Sequence, residues 1–329
     1  MKKKLLVVLL LAMSLQLFGC ANNPEGSNQD NVTEDTISPK EDANWAQITE
    51  DQADRENLVT KVTKFDVDAD NKISITYDGV EREGLIFFPE NVKGSPLLVM
   101  LHGSGLSIDG FIDLTKINDE ALSRGYTVLY LQGIPNPDDK TSSAQWNNGT
   151  GNNPVDDIGF IQAAALKAEE VYELDPYRTY VTGFSNGGFM VHTLAAEGNG
   201  TFEAFCAVAG TMQENSWNNK KENINLSFLE IFGLKDDAVP ANATGTAKYA
   251  TGPAIEDVID YYASSQNLTP HNPVSLSNKV LEYTYDSPDS KYLIKGIAIK
   301  DCHHGWPEES ITTFNTNEYI LNFFDNLEK

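Results

Sequence analysis

The sequence predicts an α/β fold, a mostly parallel central sheet with helices on both faces, and three observations predict it. Strand-like and helix-like segments alternate from residue 72 onward, the pattern of repeated strand–helix–strand units. "SPLLVMLHG" (residues 95–103) is apolar without alternation, as a strand buried on both faces requires. Of 329 residues, 40% are hydrophobic and 10% aromatic, enough for a substantial core.

The chain opens with "MKKKLLVVLLLAMSLQLFGC". Three lysines precede an apolar run too short and too early to be a good membrane span, so residues 1–19 read as an export signal. "LFGC" resembles the bacterial lipoprotein signal, which implies cleavage before Cys20 and a lipid on that residue; an ordinary signal peptide with an incidental cysteine is the alternative. The expected location is the cell surface through Cys20, or the medium. Residues 21–57 carry ten acidic residues against Lys40 and Arg55 and lack aliphatic periodicity, so residues 20–57 are expected to form a flexible acidic tether. The folded domain is expected over residues 58–329.

The net charge of −24 divides into +3 from the signal, −8 from residues 21–57 and −19 from residues 58–329. An acidic domain without cationic runs argues against nucleic acid and anionic lipid surfaces as partners. Besides Cys20 the cysteines are Cys206 and Cys302; export permits a bridge between them, and spacing alone leaves it open. No cysteine spacing suits a metal, and His303 with His304 lacks further ligands at suitable spacing, so no metal and no cofactor is expected.

Within the domain, "KISITYDG" and "EREGLIFFP" predict an initial antiparallel pair, followed by the buried strand at 95–103. A helix is expected near 109–124, then strand "YTVLYL", helix "VDDIGFIQAAALKAEEVY", strand "RTYVTG", helix "SNGGFMVHTLAAEG" and strand "FEAFCAVAG". Strand "LSFLEIFG", helix "AIEDVIDYYASS", strand "YLIKGIAIK" and a closing helix "ITTFNTNEYILNFFDNLE" complete the order. The long stretches at about 132–154 and 211–225 follow strands, at the sheet edge where open α/β folds place their sites.

At "YVTGFSNGGFM" (180–190) a strand turns sharply into a helix around Ser185. Glycines two places on either side remove side chains that would collide at such a turn, and the helix start aims backbone N–H groups at charge forming beside the serine. An acyl-transfer serine also needs a base, a group to orient it, and oxyanion donors. "LHGSG" places the Ser104 N–H to join that of Asn186 as donors, with His102 shaping the loop. "GLKDDAVP" offers Asp236 or Asp237, and "DCHHGWP" offers His303 or His304, each just past a strand.

Taken together, "LHGSG", "QWNNG", "VDDIGFIQA", "LDPYRTYVTGFSNGGFMVHTLA", "GLKDDAVP" and "HHGWP" resemble, in order over residues 72–308, the secreted polyhydroxybutyrate depolymerase and feruloyl esterase family of α/β-hydrolases, which includes acetyl-xylan-type esterases. The resemblance implies an α/β-hydrolase fold and a Ser-His-Asp triad acting through an acyl-enzyme. Its Gly-x-x-Asp-x-x-Val-Pro pattern selects Asp236 over Asp237. Its His-x-Trp-Pro pattern selects His304, although His303 stands where glycine is usual. Trp146 and Trp306 resemble aromatics near the family's active site and are candidates to contact substrate, with loop packing the alternative. Phe111 reads as packing, Asp156 and Asp157 as helix-start residues, His192 as a mid-helix structural residue and His271 as a loop residue.

The expected function is exported serine-ester hydrolysis on feruloyl or acetyl esters of plant polysaccharide. The alternative within the class is polyhydroxyalkanoate depolymerisation. The rival of another class is a non-catalytic ligand-binding surface lipoprotein. A peptidase on this fold usually adds a propeller or cap domain, for which the expected domain leaves no room.

Overall fold

The computed structural model describes residues 45–149, 154–197, 200–242 and 252–328. The signal, Cys20 and most of the expected tether lie outside the described residues. The compact unit spans Asn44–Lys329. It begins with helix α1 (Trp45–Thr60) and strands β1 (Val62–Val67), β2 (Lys72–Tyr77) and β3 (Val80–Phe87).

The parallel part of the sheet consists of β4 (Leu97–Leu101), β5 (Thr127–Leu131), β6 (Thr179–Phe184), β7 (Ala204–Val208) and β8 (Ser227–Gly233). Every residue of these five strands is buried, which explains their unbroken apolar character. Short strands β9 (Thr269–Pro270) and β10 (Val274–Ser275) lead to β11 (Val280–Asp286) and β12 (Ile294–Ile299). Among the described residues the order is β1-β2-β3-β5-β4-β6-β7-β8-β12-β11-β10, with β9 beside β11. β12 continues the parallel sheet against β8, while both edges are antiparallel. Helices α2 (Ile108–Thr115), α3 (Asn118–Ser123), α4 (Asp157–Tyr172), α5 (Asn186–Glu197), α6 (Glu214–Asn218), α7 (Ile255–Ser264), α8 (Glu309–Thr312) and α9 (Thr316–Asp325) provide the covering layers. Two hydrophobic clusters result, one holding Val99, Val181, Val191 and Phe228, the other Leu98, Met100, Tyr180 and Phe324.

Several expectations are corrected. The tether was expected to run to residue 57, yet α1 starts at Trp45. Its Arg55 Nη1 donates to the Gly200 carbonyl at 3.0 Å and Nη2 to Glu169 at 3.2 Å, and Leu58 packs on the core. One ion pair and limited apolar packing dock a helix whose composition alone lacks a core-forming pattern. The single helix expected near 109–124 is two, separated where Lys116 turns left-handed (φ 52°). The closing helix likewise breaks at Thr313 (φ 58°) into α8 and α9. The sequence pattern also gives no sign of β1 or of the β10–β11 edge. Cys206 and Cys302 are both free and buried. β8 lies between the strands that carry or precede them, about two strand spacings, beyond the about 7 Å limit for a disulfide.

Candidate active site

Ser185 sits between the end of β6 and the start of α5 with φ 54°, a left-handed conformation that costs a non-glycine residue energy. The turn closes because neighbouring positions lack side chains. A Cβ at Gly183 would meet the Gly187 carbonyl oxygen at 2.2 Å, and one at Gly187 would meet that of Leu101 at 2.1 Å. The Ser185 N–H donates to the Val208 carbonyl at 2.9 Å, tying the turn to β7.

Three of the expected residues meet there. His304 Nε2 lies 2.9 Å from Ser185 Oγ, and its Nδ1 lies 2.8 Å from Asp236 Oδ2. The consistent assignment has Ser185 O–H donating to Nε2 and Nδ1–H donating to the carboxylate. The Asp236 side chain is 1% exposed, and its Oδ1 accepts the N–H groups of Ala238 and Val239 at 2.9 and 2.8 Å. Those bonds fix the carboxylate's orientation and compensate its burial. Phe184 stacks on the His304 ring at 5.3 Å. His303 and Asp237 are exposed and stand outside this line.

Around the serine, the loop after β4 is shaped by His102, which is fully buried. Its Nδ1 lies 2.8 Å from the Gly103 carbonyl oxygen, while its Nε2 accepts the Gly133 N–H at 2.9 Å. Burial pushes its pKa down, and nearby Arg82 adds to that, so the ring is a neutral Nδ1–H imidazole serving as a loop brace. Gly103 lies against the serine: a Cβ there would stand 3.4 Å from the Ser185 Cβ. The next residue, Ser104, is exposed. Asn186 is the first residue of α5, so its N–H has no helical acceptor.

The two tryptophans are candidates for substrate contact or for loop packing, and both are buried, at 2% for Trp146 and 6% for Trp306. Trp306 packs edge-on against Phe111 and Phe184 and gives its indole N–H to Asn317, so it supports the ring that backs His304. Trp146 lies beneath the site. Its N–H donates to Asn186 Oδ1 at 2.7 Å, its carbonyl accepts from Asn186 Nδ2 at 3.2 Å, and its indole N–H donates to the His102 carbonyl at 2.9 Å. The next residue, Asn147, donates its N–H to Asp157 Oδ2 at 2.6 Å. Asp157 Oδ1 pairs with Arg82 at 2.6 Å, both side chains 1% exposed. Asp156 caps α4 through the Gly159 N–H and accepts from Tyr77. Sequence reasoning gives Asp157 only a helix-start role and misses Arg82 altogether; a lone arginine on an edge-proximal strand carries no local sign that its partner lies 75 residues away.

His192 and His271 take no part in the site. His192 is buried against Glu230 and Tyr262, and His271 is exposed beside Asp286. Among the described residues no group of three or more His, Cys, Asp or Glu side chains is placed to hold a metal ion.

Comparison with known proteins agrees with this architecture. Residues 120–231 match the prolyl oligopeptidase family. An acetylxylan esterase of Coprinopsis cinerea is 34% identical over 131 residues, covering 38% of this chain and 34% of that protein. Feruloyl esterase B of Neurospora crassa is 27% identical over 128 residues, covering 38% and 42%. The chain spans less than half the length of the curated relatives it matches. Among solved structures, acetyl xylan esterase from Aspergillus awamori superposes with a TM-score of 0.53 at 15% identity over 74% of this chain and 94% of its own. A puromycin hydrolase gives 0.52 at 15% identity over 80% and 39%. The fold is the α/β-hydrolase fold, and the sequence is similar to esterases.

Proposed function

We propose that this chain, an α/β-hydrolase by fold, is a serine carboxylic-ester hydrolase working through an acyl-enzyme. The observation that carries the reading is the hydrogen-bonded line from Ser185 through His304 to buried Asp236. Ser185 Oγ attacks the ester carbonyl carbon while His304 Nε2 takes its proton. Asp236 holds the imidazole with Nδ1 protonated and stabilises the imidazolium. The N–H groups of Asn186 and Ser104 bind the tetrahedral oxyanion, one such donor being worth about 10²–10³ in turnover. The imidazolium then protonates the departing alcohol, and a water activated by the same histidine releases the acid from Ser185.

The similarity to an acetylxylan esterase and a feruloyl esterase supports acetyl or feruloyl esters of plant polysaccharide as substrates. The lysine-led apolar segment and "LFGC" support export and anchoring through lipid on Cys20. Membrane partition of the mature protein that disappears in Cys20→Ser is the expected result for the anchor.

For the activity, the protein and its Ser185→Ala variant are assayed on acetylated xylan, methyl ferulate, short nitrophenyl esters and short-chain polyhydroxybutyrate. Release of acetate or ferulate that vanishes in Ser185→Ala is expected. Serine-dependent release from polyhydroxybutyrate alone would replace the polysaccharide assignment with the polyester one. Silence across the panel, with no fluorophosphonate labelling of folded protein, would favour a ligand-binding lipoprotein.

A further inference from the structure

The "QWNNG" stretch, once its tryptophan is removed from the substrate surface, needs another account. Trp146 uses all three of its hydrogen-bonding groups on two residues. Its peptide N–H and the carbonyl that follows clasp the Asn186 side-chain amide, and its indole N–H holds the His102 carbonyl. Asn186 carries one proposed oxyanion donor; His102 lies two residues before Ser104, which carries the other. No short covalent path joins these loops, since one follows β4 and the other follows β6.

We infer that the Trp146–Asn147 segment is a positioning element that sets the spacing of the two oxyanion donors, an inference that rests on the hydrolase reading above. The peptide entering α5 is held at its carbonyl, which accepts the Phe189 N–H at 2.9 Å, while its Asn186 N–H has no helical acceptor, and it follows a residue at φ 54°. The two-point contact with Trp146 adds a restraint on Asn186 from outside the helix. The segment is itself held to a rigid reference, because the Asn147 N–H binds Asp157, whose other oxygen pairs with Arg82 in the core. Arg82 also lies 3.8 Å over the Phe160 ring. Thus β3 and the start of α4 fix a loop that in turn fixes both sides of the oxyanion site. Filling the core would require the indole's bulk and would not require its peptide to pair with a side chain of the elbow.

Misplacing a catalytic group by about 1 Å can cost 10²-fold, so weakening the brace is expected to act on kcat. Asn186→Ala removes both bonds to Trp146 and leaves the proposed donor N–H in place; Trp146→Phe keeps most of the ring and removes only the indole donor. Each variant is expected to lower kcat on a nitrophenyl ester by about 10–100-fold with KM within about twofold, and to slow fluorophosphonate labelling by a similar factor. The double variant is expected to lose less than the product of the single losses, because both act through one site. Thermal midpoints and urea unfolding of all three measure the structural share.

Two single variants with wild-type kcat would overturn the inference. So would rate losses that track the folded fraction alone, or matching losses in KM with kcat unchanged. If the wild-type protein itself neither hydrolyses esters nor labels, it is the hydrolase reading that fails, and the two failures are therefore separable.

Discussion

Asp236 and Asp237 are adjacent in sequence and opposite in situation. Asp236 is buried with one oxygen saturated by two backbone N–H groups and the other aimed at His304, whereas Asp237 is exposed. Asp236→Asn keeps the shape and can present an N–H where an acceptor is needed, which turns the imidazole to the wrong tautomer. It is expected to lower kcat by about 10³–10⁴-fold with folding intact, whereas Asp237→Asn leaves turnover within about twofold; esterase kinetics on both decide. The same logic predicts that His304→Ala is inactive while His303→Ala retains most activity, and a mostly active His304→Ala would remove that histidine as the base. At this scale the sequence was legible wherever chemistry depends on local spacing. The serine between glycines, the aspartate after one strand and the histidine after another are each set by a turn a few residues long. For Trp146 the sequence leaves substrate contact and loop packing open because its burial depends on the path of a long loop, and the roles of Arg82 and the Asn186 side chain depend on partners far along the chain.

The same contrast holds for the elements. The central strands were legible because burial on both faces imposes continuous apolar runs. The edges were not: β1 mixes exposed and half-buried residues without regular alternation, and β11 is mostly half-buried. Helix breaks at Lys116 and Thr313 escaped because neither left-handed residue is a glycine. One further interaction links elements of the site to each other. His192 on α5 lies 2.9 Å from Glu230 on β8 and 2.9 Å from the Tyr262 hydroxyl on α7, all deeply buried. Burial lowers the His192 pKa to about 3 and raises that of Glu230, so both groups are neutral in the fold. Because the unfolded histidine takes up a proton below about pH 6.5 and the folded one does not, this group costs stability as pH falls from about 6.5 towards 3. His192→Leu is therefore expected to be less stable at pH 7 by about 1–3 kcal/mol, through the orphaned Tyr262 hydroxyl. It is also expected to show an acid limb shallower by up to one proton, about 1.4 kcal/mol per pH unit. Urea unfolding between pH 4 and 7 measures both; an unchanged acid limb would mean that His192 is already charged in the fold.

On the scale of the whole molecule, the compact unit begins at α1 rather than at β1, and composition does not show this because one ion pair and limited apolar packing dock an otherwise polar helix. Glu169 is 7% exposed, pairs with Arg55 and accepts from the Thr179 hydroxyl at 2.6 Å. Burial raises its pKa to about 7, with Thr179 and Arg55 opposing that rise. A carboxyl whose folded pKa lies above its unfolded value contributes stability below the unfolded value and loses it as pH rises through the folded one. The loss therefore falls between about pH 4.5 and 7 in the intact protein. Arg55 limits it by favouring the ionised form, so Arg55→Ala pushes the folded pKa higher and extends the loss into the alkaline range. The variant is expected to lie close to the parent near pH 5, short only of the Gly200 contact, and to fall further behind by about 1–2 kcal/mol at pH 8, the moderate size reflecting an arginine that keeps about a quarter of its surface in water. A chain starting at residue 58 lacks the same partner and is expected to show the same widening gap, added to a pH-independent deficit from the missing packing of α1. Urea unfolding of both at pH 5 and pH 8 decides: a penalty equal at the two pH values would mean that α1 is held by packing alone and that Arg55 does nothing for Glu169.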